Sequence, residues 1–142
     1  MISRCVVLDT NILVSAALKE FSNPAEILKK IISKEIVTLI CPSIVSEYRE
    51  IFSRKKFNKF KFPPLWFEYF LSRSIWIDSD PPQWPLHGPD PDDLVFLSLA
   101  FHQGATLITG NLKDYPVLIR RNTSVVDPST YLHWFKSPNQ KS

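Results

Sequence analysis

Val6-Val7-Leu8-Asp9-Thr10-Asn11 is the stretch from which the fold of this chain is read. Apolar residues fill neighbouring positions without alternation, the pattern of a strand buried on both faces. The run stops on an acid, and Asn11 to Leu18 suits a short helix. The same succession repeats outward along the chain. Asn23-Pro24-Ala25-Glu26 reads as a helix start, with a capping residue, a proline in the first turn and an acid near the positive end of the dipole. Ile27, Leu28, Ile31 and Ile32 follow at helical spacing. Glu35 to Cys41 reads as a second strand, and Pro42-Ser43 begins a helix with Ile44, Val45, Tyr48 and Ile51 on one side. Leu65 to Leu71 is helix-compatible, Ser74 to Asp78 a short strand, and Ser79 to Pro89 a loop because of Pro81, Pro82, Pro85 and Gly88. Asp93 to His102 reads as a helix, Ala105 to Thr109 and Thr123 to Val126 as strands, and the stretch after Pro128, with Tyr131, Leu132 and Trp134, as a last helix. Strands alternating with helices imply an α/β layer fold with a mainly parallel sheet, in which ligands bind beyond the C-terminal ends of the strands.

A length of 142 residues fits one domain with a sizeable core, taken as residues 1–136, followed by a polar tail at 137–142. The apolar fraction of 44% and charged fraction of 22% are those of an ordinary globular protein. No run of about 18 apolar residues indicates a membrane span. Met1-Ile2-Ser3-Arg4 leads straight into a strand-like segment without a leader pattern, so the expected compartment is the cytoplasm. Cys5 and Cys41 read as buried free thiols. His87, His102 and His133 have no metal-ligand spacing to each other or to a cysteine, which excludes a zinc site. The net charge of +3 mildly favours a polyanionic partner. Arg54-Lys55-Lys56-Phe57-Asn58-Lys59-Phe60-Lys61-Phe62 interleaves cations with aromatic rings. Arg54, Lys55, Lys56, Lys59 and Lys61 could neutralise phosphates while the rings stack on unpaired bases, or the lysines could simply be solvated.

The acids lie where strands end and helices begin. Asp9 closes the first strand, Glu47 sits in the third helical stretch, Asp90, Asp92 and Asp93 open another helix, and Asp114 follows the strand ending at Thr109. Acids gathered from such distant positions repel one another unless a hard cation lies between them. Phosphodiester cleavage needs an activated water and neutralised phosphoryl oxygens, both of which Mg²⁺ or Mn²⁺ can supply. Asp9, Glu47, Asp93 and Asp114 form the minimal ligand set, with Asn11 and the hydroxyls of Thr109 and Ser43 placed to orient a ligand or a water. Each acid also has a plainer role. Asp9 could cap the next helix, Glu47 could be solvated, Asp90 and Asp92 could complement a dipole, and Asp114 could serve a turn.

Four segments stand in order along the chain: Asp9-Thr10-Asn11-Ile12-Leu13, Ser43-Ile44-Val45-Ser46-Glu47-Tyr48, Asp90-Pro91-Asp92-Asp93 with Phe96-Leu97-Ser98-Leu99-Ala100, and Thr109-Gly110-Asn111-Leu112-Lys113-Asp114-Tyr115. Together they resemble the PIN-domain ribonucleases, particularly the toxin components of toxin–antitoxin systems related to VapC. The resemblance runs from Val6 to about Tyr131. It implies a three-layer α/β/α fold and metal-dependent cleavage of single-stranded or structured RNA. The family's metal-binding acids fall on Asp9, Glu47 and Asp93, with Asp93 preferred to Asp92 by its distance to Ala100. Many relatives carry an acid where this chain has Asn111, so Asp114 is the fourth candidate. The resemblance also implies a small antitoxin protein as partner and a homodimer, for which Trp66, Phe67, Tyr69 and Phe70 offer either an interface or core packing.

Other classes fit less well. A phosphatase of the haloacid-dehalogenase type needs a second acid two residues after the first, where this chain has Asn11. A phospho-receiver domain needs a phosphorylatable Asp after a mid-chain strand. A catalytically inactive module that only binds nucleic acid or protein has little use for retained acids, because a bare acidic pocket repels a polyanion.

Overall fold

The computed structural model describes residues 1–54 and 64–137. Lys55, Lys56, Lys59, Lys61 and nearly all of the polar tail lie outside them. Five parallel strands form one sheet in the order β3-β2-β1-β4-β5. They are β1 (Cys5–Leu8), β2 (Val37–Ile40), β3 (Ile75–Trp76), β4 (Thr106–Ile108) and β5 (Val125–Val126). The helices are α1 (Thr10–Leu18), α2 (Asn23–Ile32), α3 (Pro42–Phe52), α4 (Trp66–Arg73), α5 (Leu94–Gln103) and α6 (Pro128–Phe135). Parallel neighbours cannot be joined by tight hairpins, so helical crossovers cover the sheet. Helices α1 and α2 pack together, α4 and α6 lie against α2, and α5 lies on β1 and β4 and touches α3.

The central strand explains the layering. Val6, Val7 and Leu8 have no exposed surface, which requires protein on both faces of β1. Its register sets Val6 opposite both Thr38 and Thr106, and Leu8 opposite Ile108. The chain builds outward from β1 through β2 to β3, then crosses back to place β4 on the other side of β1. The order therefore reverses between β1 and β4. In open α/β sheets this reversal opens a crevice at the C-terminal edge, and ligands bind there.

Local chemistry fixes the helix ends that matter. Helix α2 begins one residue earlier than the Asn23 cap read from sequence: Ser22 is the cap, accepting from the Ala25 amide at 3.3 Å, and Asn23 is the first helical residue. Helix α5 is preceded by a short 3₁₀ turn over Pro91–Asp93, for which Asp90 accepts from the Asp92 amide at 3.0 Å. It ends at Gly104, whose φ of 64° is the left-handed conformation glycine adopts at least cost. Cys41 offers α3 no side-chain cap. Asp80, from the loop after β3, fills that role by accepting from the Ser43 amide at 2.8 Å and from the Ser43 hydroxyl. On α3, Ile44, Tyr48 and Phe52 recur every four residues and are buried. Tyr48 packs among Phe67, Phe70 and Phe96 and donates its hydroxyl to the Leu8 carbonyl at 2.6 Å. This bond ties α3 to the end of β1. Phe67 and Phe70 therefore belong to the core, whereas Tyr69 is about half exposed beneath the Arg73 guanidinium. Both cysteines are free thiols, but only Cys41 is fully buried and Cys5 is half-buried at the start of β1; burial raises both, Cys41 to about 11.

Candidate functional site

Asp9 follows the last residue of β1, and its amide extends the pairing to Ile108 at 3.0 Å. It stands at the start of α1 but makes no capping bond to that helix. Its carboxylate is turned inward instead and is 3% exposed. One oxygen, Oδ2, accepts from the Thr109 hydroxyl at 2.8 Å and from the Tyr115 hydroxyl at 3.0 Å. Burial pushes the carboxyl up, the two hydroxyls and the Thr10 amide pull it down, and Asp114 pushes it up again.

Thr109, just past β4, is fully buried and joins the two sides of the crevice. Besides donating to Asp9, its oxygen accepts from the Asn111 amide at 3.0 Å and from Asn11 Nδ2 at 3.4 Å. Asn11 Oδ1 accepts from the Gly110 amide at 2.8 Å. A Cβ on residue 110 would stand 3.1 Å from that oxygen, so glycine permits the close approach. Asn111 Nδ2 donates to Asp114 Oδ2 at 3.0 Å. The loop after β4 is thus held against the start of α1 by side chains from both.

Asp93 ends the 3₁₀ turn before α5 and is half-buried. Burial, then the charge of Asp9, then Asp114 within hydrogen-bonding reach, then Asp90, push its carboxyl up to about 8. Glu47, half-buried on α3, accepts from the Thr10 hydroxyl at 3.0 Å. It is raised by burial and by the charges of Asp9, Asp92 and Asp90, against the lowering effect of Thr10. The structure therefore brings Asp9, Glu47, Asp93 and Asp114 into one negative field at the β1–β4 reversal, with Asn11, Thr109 and Asn111 among them. Asp90 and Asp92 stand at its edge, Asp92 exposed and Asp90 spent on the turn.

One expected contributor is placed elsewhere. The Ser43 hydroxyl and amide are engaged by Asp80 rather than turned to the acids. Arg54 is paired with Glu50 at 3.1 Å, an exposed i, i+4 pair. Three participants escaped the sequence reading. Tyr115 was visible only as the aromatic closing the last motif, and its complete burial demanded a hydrogen-bond partner. Thr10 was visible only as part of the first motif, and Asp80 carried no signal beyond being an acid in a proline-rich loop.

The donor set suits a hard divalent ion: carboxylate oxygens, in mutual repulsion, partly withdrawn from water. Among the described residues, no three Asp, Glu, His or Cys side chains form a ready-made cage. Mg²⁺ keeps several of its waters and is held by one or two carboxylates. The arrangement therefore matches a hydrated ion better than a closed all-protein site.

Beside the acids lies a groove of about 620 Å³, walled by Ser43, by the loop from Asp80 to His87 and by Pro91, Leu94 and Val95.

A family model described as the PIN domain matches residues 5–113, a span that includes Asp9, Glu47, Asp93 and Asn111 and stops one residue short of Asp114. Among solved structures, the chain is similar to VapBC2 from Rickettsia felis, crystallised with a DNA fragment from their promoter. That match has a TM-score of 0.59 and 22% identity and covers 87% of this chain and 98% of the other, a likeness of fold. No curated protein matches.

Proposed function

The chain belongs to the PIN-domain family, and from that premise we propose that it is an Mg²⁺- or Mn²⁺-dependent endoribonuclease, the toxin of a toxin–antitoxin pair. PIN-domain proteins are nucleases and generally use divalent metal ions. The observation that carries the proposal is the gathering of Asp9, Glu47, Asp93 and Asp114 at the sheet's reversal point, where burial first, and then the acids around it, push Asp93 up to about 8. A bound ion would neutralise phosphoryl oxygens and make a water acidic enough to attack at neutral pH.

The side chains divide the remaining work. Asp9 and Asp93 would hold the ion, with Glu47 and Asp114 beside them. The Tyr115 and Thr109 hydroxyls donate to Oδ2 of Asp9 and, with the Thr10 amide, orient the carboxylate that would hold the ion. Thr10 orients Glu47, and Asn111 orients Asp114. Asn11 keeps the loop after β4 in place. Residues 1–136 form the nuclease domain, with 137–142 as a tail. Arg54 and the lysines at 55, 56, 59 and 61 contact the RNA backbone. The partners are a small antitoxin protein and a second copy of the chain, in the cytoplasm. The resemblance to VapC-related toxins and the fold shared with VapBC2 support the antitoxin. No helix among the described residues is long and apolar enough to cross a membrane.

The test is cleavage of single-stranded RNA with Mg²⁺, with Mn²⁺ and with chelator, by the wild-type chain and by Asp9→Asn and Asp93→Asn. Cleavage should need the ion and vanish in both variants while their circular dichroism is unchanged. Without metal, Asp9→Asn should melt at the same temperature or higher, because it relieves repulsion. Equal residual cleavage in all three chains would trace the activity to a contaminant and overturn the proposal.

A further inference from the structure

The groove beside the acids has features that a mere connection between β3 and α5 does not need. It shares two walls with the acidic cluster. On α3, Ser43 lines the groove and Glu47 lies one turn further along the same face. On the opposite wall, Pro91 and Leu94 line it and bracket Asp92 and Asp93. A strand whose phosphate lies at the acids therefore meets this groove with an adjoining nucleotide.

Its outer wall is fixed in place. Asp80 is bonded to the Ser43 amide and hydroxyl at one end. In the middle, the Pro82 carbonyl accepts from the Ser98 hydroxyl at 2.5 Å, and Trp84 Nε1 donates to the Ile119 carbonyl at 2.9 Å. At the other end Gly88 packs so closely that a Cβ would come within 3.0 Å of Ile119 and 3.1 Å of Leu94. The prolines at 81, 82, 85 and 89 already restrict the backbone. A wall pinned in this way gives a preformed pocket, and its volume of about 620 Å³ is that of a site for a small molecule.

The lining selects the occupant. No Lys or Arg among the described residues lines the groove, so it is not built for a phosphate. Trp84 is 5% exposed and serves as floor. The polar groups on offer are the exposed Asp80 carboxylate, the Gln83 amide and the His87 imidazole. Hydrogen bonds from the Ser43 hydroxyl and amide, and from the Cys41 thiol, hold Asp80 below the usual carboxylate range, and a carboxylate's two oxygens together offer about four acceptor sites. An anionic acceptor repels phosphate and attracts N–H donors, and proteins read unpaired RNA bases on their Watson–Crick edges and by stacking on aromatic side chains, histidine included.

We propose that this groove is a subsite for an unpaired nucleobase of the RNA strand, with guanine preferred because its N1–H and N2 amino group present two adjacent donors to Asp80. Gln83 supplies a further contact to the base edge, and His87 stacks on its face. The inference rests on the ribonuclease reading for the strand's position, but its test does not depend on cleavage.

Short uridine oligomers carrying one central G, A or C, together with the all-uridine oligomer, are titrated without metal into ¹⁵N-labelled Asp9→Asn chain. The signals followed are the Trp84 indole N–H, the Gln83 side-chain amide and the backbone amides from Asp80 to His87. The G-containing oligomer should move them and bind about 10-fold more tightly than the A-containing one. Asp80→Asn, which keeps an acceptor for Ser43, should abolish that preference, and His87→Ala should weaken all four oligomers alike. Silent groove signals, equal response to every base, or a guanine preference that survives Asp80→Asn would overturn the proposal. Cleavage by wild type with a silent groove removes the subsite and leaves the nuclease. Guanine binding without any metal-dependent cleavage does the reverse.

Discussion

Asp9 shows how a single residue is prepared for its role. A carboxylate this deeply buried is costly unless its oxygens are bonded, and the hydroxyls of Thr109 and Tyr115 both reach the same oxygen. With the Thr10 amide, they fix how the carboxylate is presented. Tyr115→Phe removes one donor while keeping the ring in the core. It should weaken Mn²⁺ binding about 10-fold, as loss of a partner behind a metal ligand does, and cost on the order of 1 kcal/mol of stability. Calorimetric titration with Mn²⁺ and a urea melt would measure both. Unchanged Mn²⁺ affinity would reduce Tyr115 to a packing residue. Thr109→Ser should be mild and Thr109→Val severe, because only valine silences the hydroxyl that also accepts from Asn111 and Asn11.

At the scale of elements, α3 and the loop after β4 decide where the acids meet. Tyr48 fastens α3 to Leu8, next to Asp9, and so sets Glu47 against Thr10. Asp80 closes the start of α3 from 37 residues away. Asp80→Ala should therefore destabilise the chain by about 1 kcal/mol, the usual worth of a helix cap, and Asp80→Asn by less. Chemical denaturation would show it, and two identical curves would mean the cap is idle. These elements also mark how far the sequence could be read. The β1 run, the acids at strand ends and the face of α3 follow from local periodicity and were legible. The one-residue shift from Asn23 to Ser22 reflects two adjacent residues that both cap well. Ser43 looked like a ligand-orienting hydroxyl because its partner, Asp80, is brought near only by the β2–β3 pairing. Tyr115 was illegible for the same reason: nothing local shows that the turn before it delivers its hydroxyl to an acid more than a hundred residues earlier.

Over the whole molecule, Asp93, Asp9 and Glu47 are shifted together by burial and by their shared field. Asp93 moves from 3.8 to about 8, chiefly through burial and then through Asp9, and Asp9 and Glu47 move in the same direction. The folded chain thus holds protons that the unfolded chain has already released. Where the folded state binds more protons, stability falls as pH rises. The metal-free protein should lose stability steadily from about pH 4 to about pH 8, and thermal melts across that range would trace the slope. Mn²⁺ should reverse it, since an ion takes the protons' place, and should raise the melting temperature far more at the alkaline end. Asp93→Asn should flatten both effects. A wild-type chain equally stable across the range would mean the carboxylates do not share a field.

The most direct measurement is anomalous diffraction from a crystal of the wild-type chain soaked in Mn²⁺. A peak should stand at the C-terminal edge between β1 and β4, within coordination distance of Asp9 and Asp93, with Glu47 or Asp114 beside it. A chain that cleaves RNA with Mn²⁺ yet shows its only peak away from these carboxylates would contradict the account.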